Sequence, residues 1–518
     1  MVLTGPRGCG KSTVYKSLSL RHRALSNNDL PDKVAYIVIY YRCDDLYSIY
    51  PRYNLPSREE ALDLPIHFLT VTLVAEMLAS IEMWASNHFR NDFSSKEIAV
   101  SDQIWQVMGF TIPEEPGSST FKALRFRLQR ERKRAADKQR FVHDTKRPIG
   151  DCIGPEVLPQ VCAVLLDNFS FLQNRPFYFF IDDYSSPKIS KELQKNLNRL
   201  LMQRTANCFF KLATESPVSY TREDIDGKAY VEGREFILLN LGLIYLNAAK
   251  SKEKLQFIED VFARRFKAVT GYPVSNLDEL IGSYPMPAQT EIALAIRRKE
   301  KPDMWGKEVL GELCSGDIFY ILSLVHRMVS NVGGAETLSK GSLIPKIRKE
   351  NQKQAIREEA GSFLNNLRGI PNGEHLVAVV TSFGNVAYSY LRYKNSRNME
   401  GNPPHLASRI EPYEELALSS EAQHVYDELL RYSLFLEDPR GKSRRGKIVP
   451  RLYLRRALLP HYNLTFSDRD SIGLEGHDIE QLLLEPKEFE NQHRLRKESI
   501  EWARLPLWGQ EEQSGEPE

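Results

Sequence analysis

The chain opens on MVLTGPRGCGKST, and this stretch constrains its fold more than any other. Gly5, Gly10, Lys11 and Ser12 fit GxxxxGK[ST], a loop that works only between a buried strand and the start of a helix. Its glycines, Gly8 among them, let backbone N–H groups turn inward and cradle phosphate oxygens. A helix starting near Lys11 points its positive end at the anion. The pattern places Lys11 on the β- and γ-phosphates of ATP and the Ser12 hydroxyl on Mg²⁺, with Thr13 completing the nucleotide-binding set. Met1 to Leu3 read as the last part of a strand, and TVYKSLSL continues as helix.

Such a loop needs an acidic partner at the end of a second buried strand. RPFYFFIDDYSSP supplies it. Phe177 to Ile181 form a continuous apolar run, as a parallel strand covered on both faces requires. The run ends in Asp182-Asp183, a Walker B pattern. Asp182 is expected to hold Mg²⁺ directly or through water, and Asp183 to polarise the attacking water. Three more strands are expected: VAYIVIYY (Val34 to Tyr41), CFFKLATES (Cys208 to Ser216) and EFILLNL (Glu235 to Leu241), with a helix from about Lys188 to Arg204 before the second of these. Alternating strands and helices imply α/β architecture with a doubly wound parallel sheet.

This order of motifs resembles the additional-strand P-loop ATPases. In them a strand with a polar tip, sensor 1, lies between the P-loop strand and the Walker B strand. Here the tip is LATES, and Thr214 is the candidate to touch the γ-phosphate. Within the group the chain looks most like AAA+ ATPases of the origin-recognition, initiator type (bacterial or archaeal-like). Resemblance to STAND signalling ATPases comes second, since the Asp-Asp ending is commoner there. The initiator resemblance implies an arginine finger at the end of the helix before sensor 1, which is Arg204, with Arg199 as an alternative. It implies hydrolysis of ATP. Initiators usually end Walker B in Asp-Glu, so the shorter Asp183 leads us to expect slow turnover. Gly316 and Asp317 match the start of a sensor 2 sequence, but no arginine follows at the usual offset; Arg327 lies about three turns further on.

The chain has 518 residues, enough for about three domains. We expect an ATPase core over 1–243 with an insertion at about 42–150, a helical lid over 244–350, a winged-helix-like α+β region over 351–505 and a disordered acidic tail over 506–518. The insertion carries the apolar stretch LPIHFLTVTLVAEMLASIEMWAS, interrupted by His67, Glu76 and Glu82 and therefore expected to be a buried or amphipathic helix rather than a membrane span. It ends in FKALRFRLQRERKRAADKQRFVHDTKRP, a basic run of helical spacing and little apolar periodicity. That run fits either a phosphate-contacting helix or a solvated or partner-binding one, poorly ordered alone. NSRNMEGNPP reads as a linker. Beyond it, Ala422, Val425, Tyr426, Leu429 and Leu430 form one helix face, and SLFLED and VPRLYL flank the basic turn PRGKSRRG. Arg440, Lys442, Arg444 and Arg445 are the expected wing, tracking a DNA backbone.

Net charge is only +2, so any nucleic-acid surface must come from local clustering. Six scattered cysteines without a CxxC pair fit a reducing, cytoplasmic setting. The expected function is ATP- and Mg²⁺-dependent self-association, or pairing with a partner ATPase subunit, coupled to DNA binding. The competing expectation is a STAND-like switch that acts through protein–protein assembly. The short first strand leads us to expect either further sequence upstream of Met1 or an adenine gripped by the lid and a neighbouring subunit, and a shallow base pocket with most nucleotide affinity coming from the phosphates.

Overall fold

The computed structural model describes residues 1–26, 34–46, 58–140, 152–241, 251–270, 277–333, 346–394, 405–444 and 447–495, apart from isolated positions within them, and also residue 244. The chain divides into two compact units, residues 1–5 with 10–241 and residues 6–9 with 242–518.

The first unit is built on five strands, β1 (Val2–Thr4), β2 (Ile37–Arg42), β3 (Phe177–Asp182), β4 (Cys208–Ala213) and β5 (Leu238–Asn240). They pair in the order β2-β3-β4-β1-β5, and every pairing is parallel. The strand tipped by LATES therefore lies between the P-loop strand and the Asp-Asp strand, as the resemblance implied. The central strands are apolar on both faces because helices cover both. On β3, all but Tyr178 are buried. Aromatic neighbours bind β3 to β4: Tyr178 stacks on Phe209 at 5.1 Å and Phe179 on Phe210 at 5.6 Å, each pair in direct register.

The helices of this unit are α1 (Lys11–Leu18), α2 (Leu20–Ser26), α3 (Arg58–His88), α4 (Arg90–Val107), α5 (Phe121–Arg140), α6 (Val157–Asn168) and α7 (Lys191–Leu201). By length and composition α3 could cross a membrane, the one such helix among the described residues; 83% of its most apolar window is buried inside the protein. Its polar residues are accommodated locally. His67 Nδ1 accepts from the Ile153 amide at 3.0 Å, and burial lowers the ring's proton affinity, so the imidazole is a neutral core acceptor. An aromatic cluster of Trp84, Phe89, Phe93, Phe121, Phe169 and Phe171 ties the insertion to the ends of α3 and α6. The basic run contradicts the expectation of weak periodicity. Phe121, Leu124, Leu128 and Ala135 are fully or almost fully buried at spacings of three, four and seven, so α5 packs on α3 as an amphipathic helix. Their contribution was masked by the arginines between them, four of which pair with Glu82, Asp45 and Glu131.

The second unit is helical, then mixed. It holds α8 (Ser251–Thr270), α9 (Leu277–Ile281), α10 (Gln289–Arg297), α11 (Lys307–Leu313), α12 (Ile318–Asn331), α13 (Lys349–Arg368) and α14 (Gly373–Tyr393). There follow β6 (Arg409–Pro412), α15 (Ser420–Arg431), the hairpin β7 (Phe435–Arg444) and β8 (Lys447–Leu454), β9 (Ile472–Leu474), α16 (Gly476–Leu484) and α17 (Pro486–His493). These strands form a small sheet in the order β7-β8-β6-β9, antiparallel except for β6 with β9. The expected face of α15 is inward: Ala422, Val425, Tyr426, Leu429 and Leu430 are all buried. Ser419 caps the helix by accepting from the Ala422 amide. The hairpin departs from the expected strand–loop–strand. Arg440, Lys442 and Arg444 belong to β7 itself, and Lys442, Ser443 and Arg444 pair with Val449, Ile448 and Lys447. Pro439, which has no N–H to donate, sits where the register shifts between Asp438 and Lys442. Arg445 and the expected linker lie outside the described residues.

Candidate nucleotide-binding site

The loop after β1 is shaped by its backbone. Gly8 has φ of 84° and Gly10 φ of 93°, both in the left-handed region where a side chain is disfavoured. Gly10 is the N-cap of α1 and offers no side-chain acceptor to the helix's first amides. The first turn of α1 also carries no acid. A helix start with neither a side-chain cap nor a first-turn acid is suited to an external anion. Lys11 is buried, and its Nζ donates to the Gly5 carbonyl at 2.7 Å, so the ammonium is folded across the loop it closes. Ser12 is half-buried and Thr13 exposed. The Thr4 hydroxyl, at the end of β1, is buried without a hydrogen-bond partner.

The acid side is built from side chains brought together by sheet register. Asp182 is fully buried. One oxygen accepts from the Tyr40 hydroxyl at 2.8 Å and the other from the Asp183 amide at 3.0 Å. Burial, reinforced by the Asp182 charge, pushes the Tyr40 phenol well up, so it stays a neutral donor. Asp183 leaves the strand with φ of 57°, a conformation that Asp tolerates better than most residues. Its carboxylate accepts from Arg42 Nε at 2.6 Å and lies 3.7 Å from Lys188 Nζ. The hydrogen bond to Asp183 strengthens proton binding at Arg42. Lys188 is also bonded to Asp44 at 2.7 Å, which lowers the Asp44 carboxyl. The two carboxylates after β3 thus differ: one is buried against a phenol, the other is held by a half-exposed guanidinium.

Tyr40 and Arg42 are the residues that sequence reasoning missed. They are two apart on β2, hence on one face, and β2 runs beside β3 with Arg42 opposite Asp182. The expected strand stops at Tyr41, whereas Arg42 is its last residue. The signal was the tyrosine–tyrosine–arginine ending of an apolar strand.

Thr214 stands one residue beyond β4. Its amide donates to the Leu3 carbonyl at 2.9 Å, which seats it beside the end of β1. Its hydroxyl lies 3.1 Å from that of Ser185, and Ser185 Oγ also accepts from the Glu215 amide at 2.9 Å. Ser185 therefore bridges the turn after Asp182-Asp183 to the tip of β4. The carboxyl ends of β1, β3 and β4 converge with the start of α1, the crevice where open α/β sheets bind ligands. Arg204 lies outside the described residues, and Arg199 is half-buried on the last turn of α7.

The sensor 2 match resolves into a local role. Asp317 caps α12 by accepting from the Tyr320 amide at 3.0 Å, and it forms a buried ion pair with Arg455. Arg455 lies over the ring of Phe363 at 4.1 Å. Arg327 is bonded to Glu359 at 2.5 Å and to Ser362 at 3.0 Å, within the second unit.

Among the described residues no group of three or more His, Cys, Asp or Glu is gathered to hold a metal alone. A hydroxyl with one carboxylate fits Mg²⁺ shared with phosphate oxygens, which needs few protein ligands. The glycine-shaped loop, the parallel sheet with its inserted strand and the acid pair define a P-loop NTPase of the additional-strand class. The chain belongs to the ORC-CDC6-like family, whose model matches residues 1–302 and 292–474. Membership makes it an AAA+ ATPase of the origin-recognition, initiator type. No curated protein matches the chain.

Proposed function

We propose that this chain binds ATP with Mg²⁺ at residues Gly5 to Thr13 and hydrolyses it slowly, using the nucleotide state to control association with itself or with a partner ATPase subunit and with DNA. The observation that carries the reading is the convergence of Lys11, Asp182 and Thr214 at one edge of a parallel sheet. Lys11 exchanges the Gly5 carbonyl for phosphate oxygens, and the first amides of α1, which no side chain caps, receive the rest of the anion. Mg²⁺, held by Ser12 and Asp182, neutralises charge on the β- and γ-phosphates when bound. Tyr40 keeps the Asp182 carboxylate aimed. Asp183 is the group that orients water, and Arg42 holds it away from that task until the pair opens. Thr214, kept in place by Ser185, senses the γ-phosphate. Arg204 acts on a neighbouring subunit's nucleotide.

In the same reading residues 244–350 serve as the lid and 351–505 as a winged-helix region. Arg440, Lys442, Arg444 and Arg445 form the wing that tracks duplex phosphates, giving salt-sensitive affinity. The setting is cytoplasmic.

Titration of the purified chain with a fluorescent ATP analogue, with and without Mg²⁺, tests the core of this reading. Tight binding that weakens on Mg²⁺ removal and on Ser12→Ala supports it; no binding to wild-type protein overturns it.

A further inference from the structure

The second unit contains an open cleft of about 570 Å³, away from the basic hairpin in sequence and built by different elements. Its walls come from the residues after α10, from α13, from α14 and from the loop at 460–463. Three cations reach it from three elements: Lys299, Arg357 and Arg392. Glu300 is the one carboxylate among its lining residues. Among the described residues, none of the three cations has a carboxylate within ion-pair distance. Neighbouring cations are treated differently. Lys353, one turn before Arg357 on α13, is paired with Asp303; Arg456, near the cleft's loop, is paired with Glu312.

Lys299 is held in the left-handed region at φ of 64°, and Asn463 across the cleft at φ of 52°. The Arg392 guanidinium lies over the rings of Tyr388 at 5.7 Å and Tyr393 at 5.1 Å, and its Nε is buried without a hydrogen-bond partner. Two tyrosine rings thus flank one cation, and Tyr388 lines the cleft.

We infer that this cleft binds single-stranded nucleic acid, with Lys299, Arg357 and Arg392 on successive phosphates and Tyr388 as a stacking surface for a base. A groove of unpaired cations with an aromatic face is the arrangement that holds a single strand without reading its sequence. The concavity has the size of a small-ligand pocket. It admits a base or a strand, whereas a duplex could only lie across its rim. The inference does not depend on the ATP site. It shares with the proposed function only a phosphate-bearing partner, and it assigns that partner a different form and place from the hairpin.

The test is fluorescence anisotropy of the full chain with a labelled oligothymidylate and, separately, a labelled duplex, across a salt series. Lys299 and Arg357 are exposed, so the double variant Lys299→Ala/Arg357→Ala keeps the fold. It should lose about ten-fold in single-strand affinity at low salt, and its salt slope should fall by roughly 1.4, for two phosphates lost at about 0.7 each. Tyr388→Ala should also lose about ten-fold, with Tyr388→Phe close to wild type. Duplex affinity should be unchanged in all three and should fall instead on Arg444→Ala/Arg445→Ala. An unchanged single-strand affinity in the double variant would overturn the inference. So would an equal loss on duplex, or displacement of the strand by millimolar inorganic phosphate alone, which would mark a simple anion site. Failure of ATP binding would leave this assignment standing, and loss of the cleft would leave the ATP site standing.

Discussion

The two sides of the nucleotide site are made in different ways. The loop side is backbone: left-handed glycines, a start of α1 without a side-chain cap and one lysine folded onto its own loop at 2.7 Å. All of it lies within thirteen consecutive residues. The acid side is a network of side chains from β2, β3, the turn after β3 and the tip of β4, joined across sequence gaps of up to 142 residues. In the proposed reading the first receives the phosphates as Lys11 leaves the Gly5 carbonyl. The second is engaged with itself, Asp183 with Arg42; in the proposed reading that pair must open before Asp183 can orient water. The proposed function therefore places binding and hydrolysis under separate control, and mutations should divide accordingly.

The largest effect belongs to the loop side. Lys11→Ala should cut ATP affinity by about 100-fold or more, since a charge-assisted contact to phosphate is lost from a buried position; calorimetric titration would record it. Retained affinity would break the contrast at its root. Asp182→Asn should lower turnover by roughly 100-fold through the loss of transition-state charge compensation, while nucleotide affinity falls far less. Asp183→Asn should reduce turnover by about ten-fold and leave binding untouched, as general-base contributions of this kind run from 10²-fold upward only when the group is well poised. Asn keeps the left-handed backbone, so its melting temperature should match wild type. Asp183→Ala should instead lose about 1 kcal/mol as well, measured by denaturant unfolding. Ser185→Ala removes a bridge between Thr214 and the turn after Asp183; a decrease of only a few-fold in turnover is expected, near the contribution of one net hydrogen bond, about 1 kcal/mol.

The same division explains what the sequence disclosed. The P-loop, the Asp-Asp strand and the inserted strand order were legible because each is local: apolar runs end at particular residues, and parallel topology follows from alternation. The Tyr40–Asp182 and Arg42–Asp183 contacts were not, because they depend on β2 lying beside β3 in one register, which no nearby residue encodes. The buried face of α5 was hidden for a different reason. Its four inward residues are diluted by arginines whose charge is absorbed by acids elsewhere in the insertion, Glu82 and Asp45 among them. In the hairpin, the basic run looked like a loop by composition, yet main-chain pairing is indifferent to side-chain charge and extends the strands through it. The Gly316-Asp317 pair was read for its resemblance to a nucleotide sensor; what it does locally is cap α12 and anchor Arg455.

The measurement that bears most directly on separate control is single-turnover ATP hydrolysis at saturating nucleotide, wild type against Arg42→Ala. Freeing Asp183 should raise the rate by several-fold to about ten-fold, with ATP affinity unchanged; the pair is half-exposed, so the gain is bounded by the modest strength of such ion pairs. A rate that falls, or a change in affinity of the same size as the change in rate, would contradict the account.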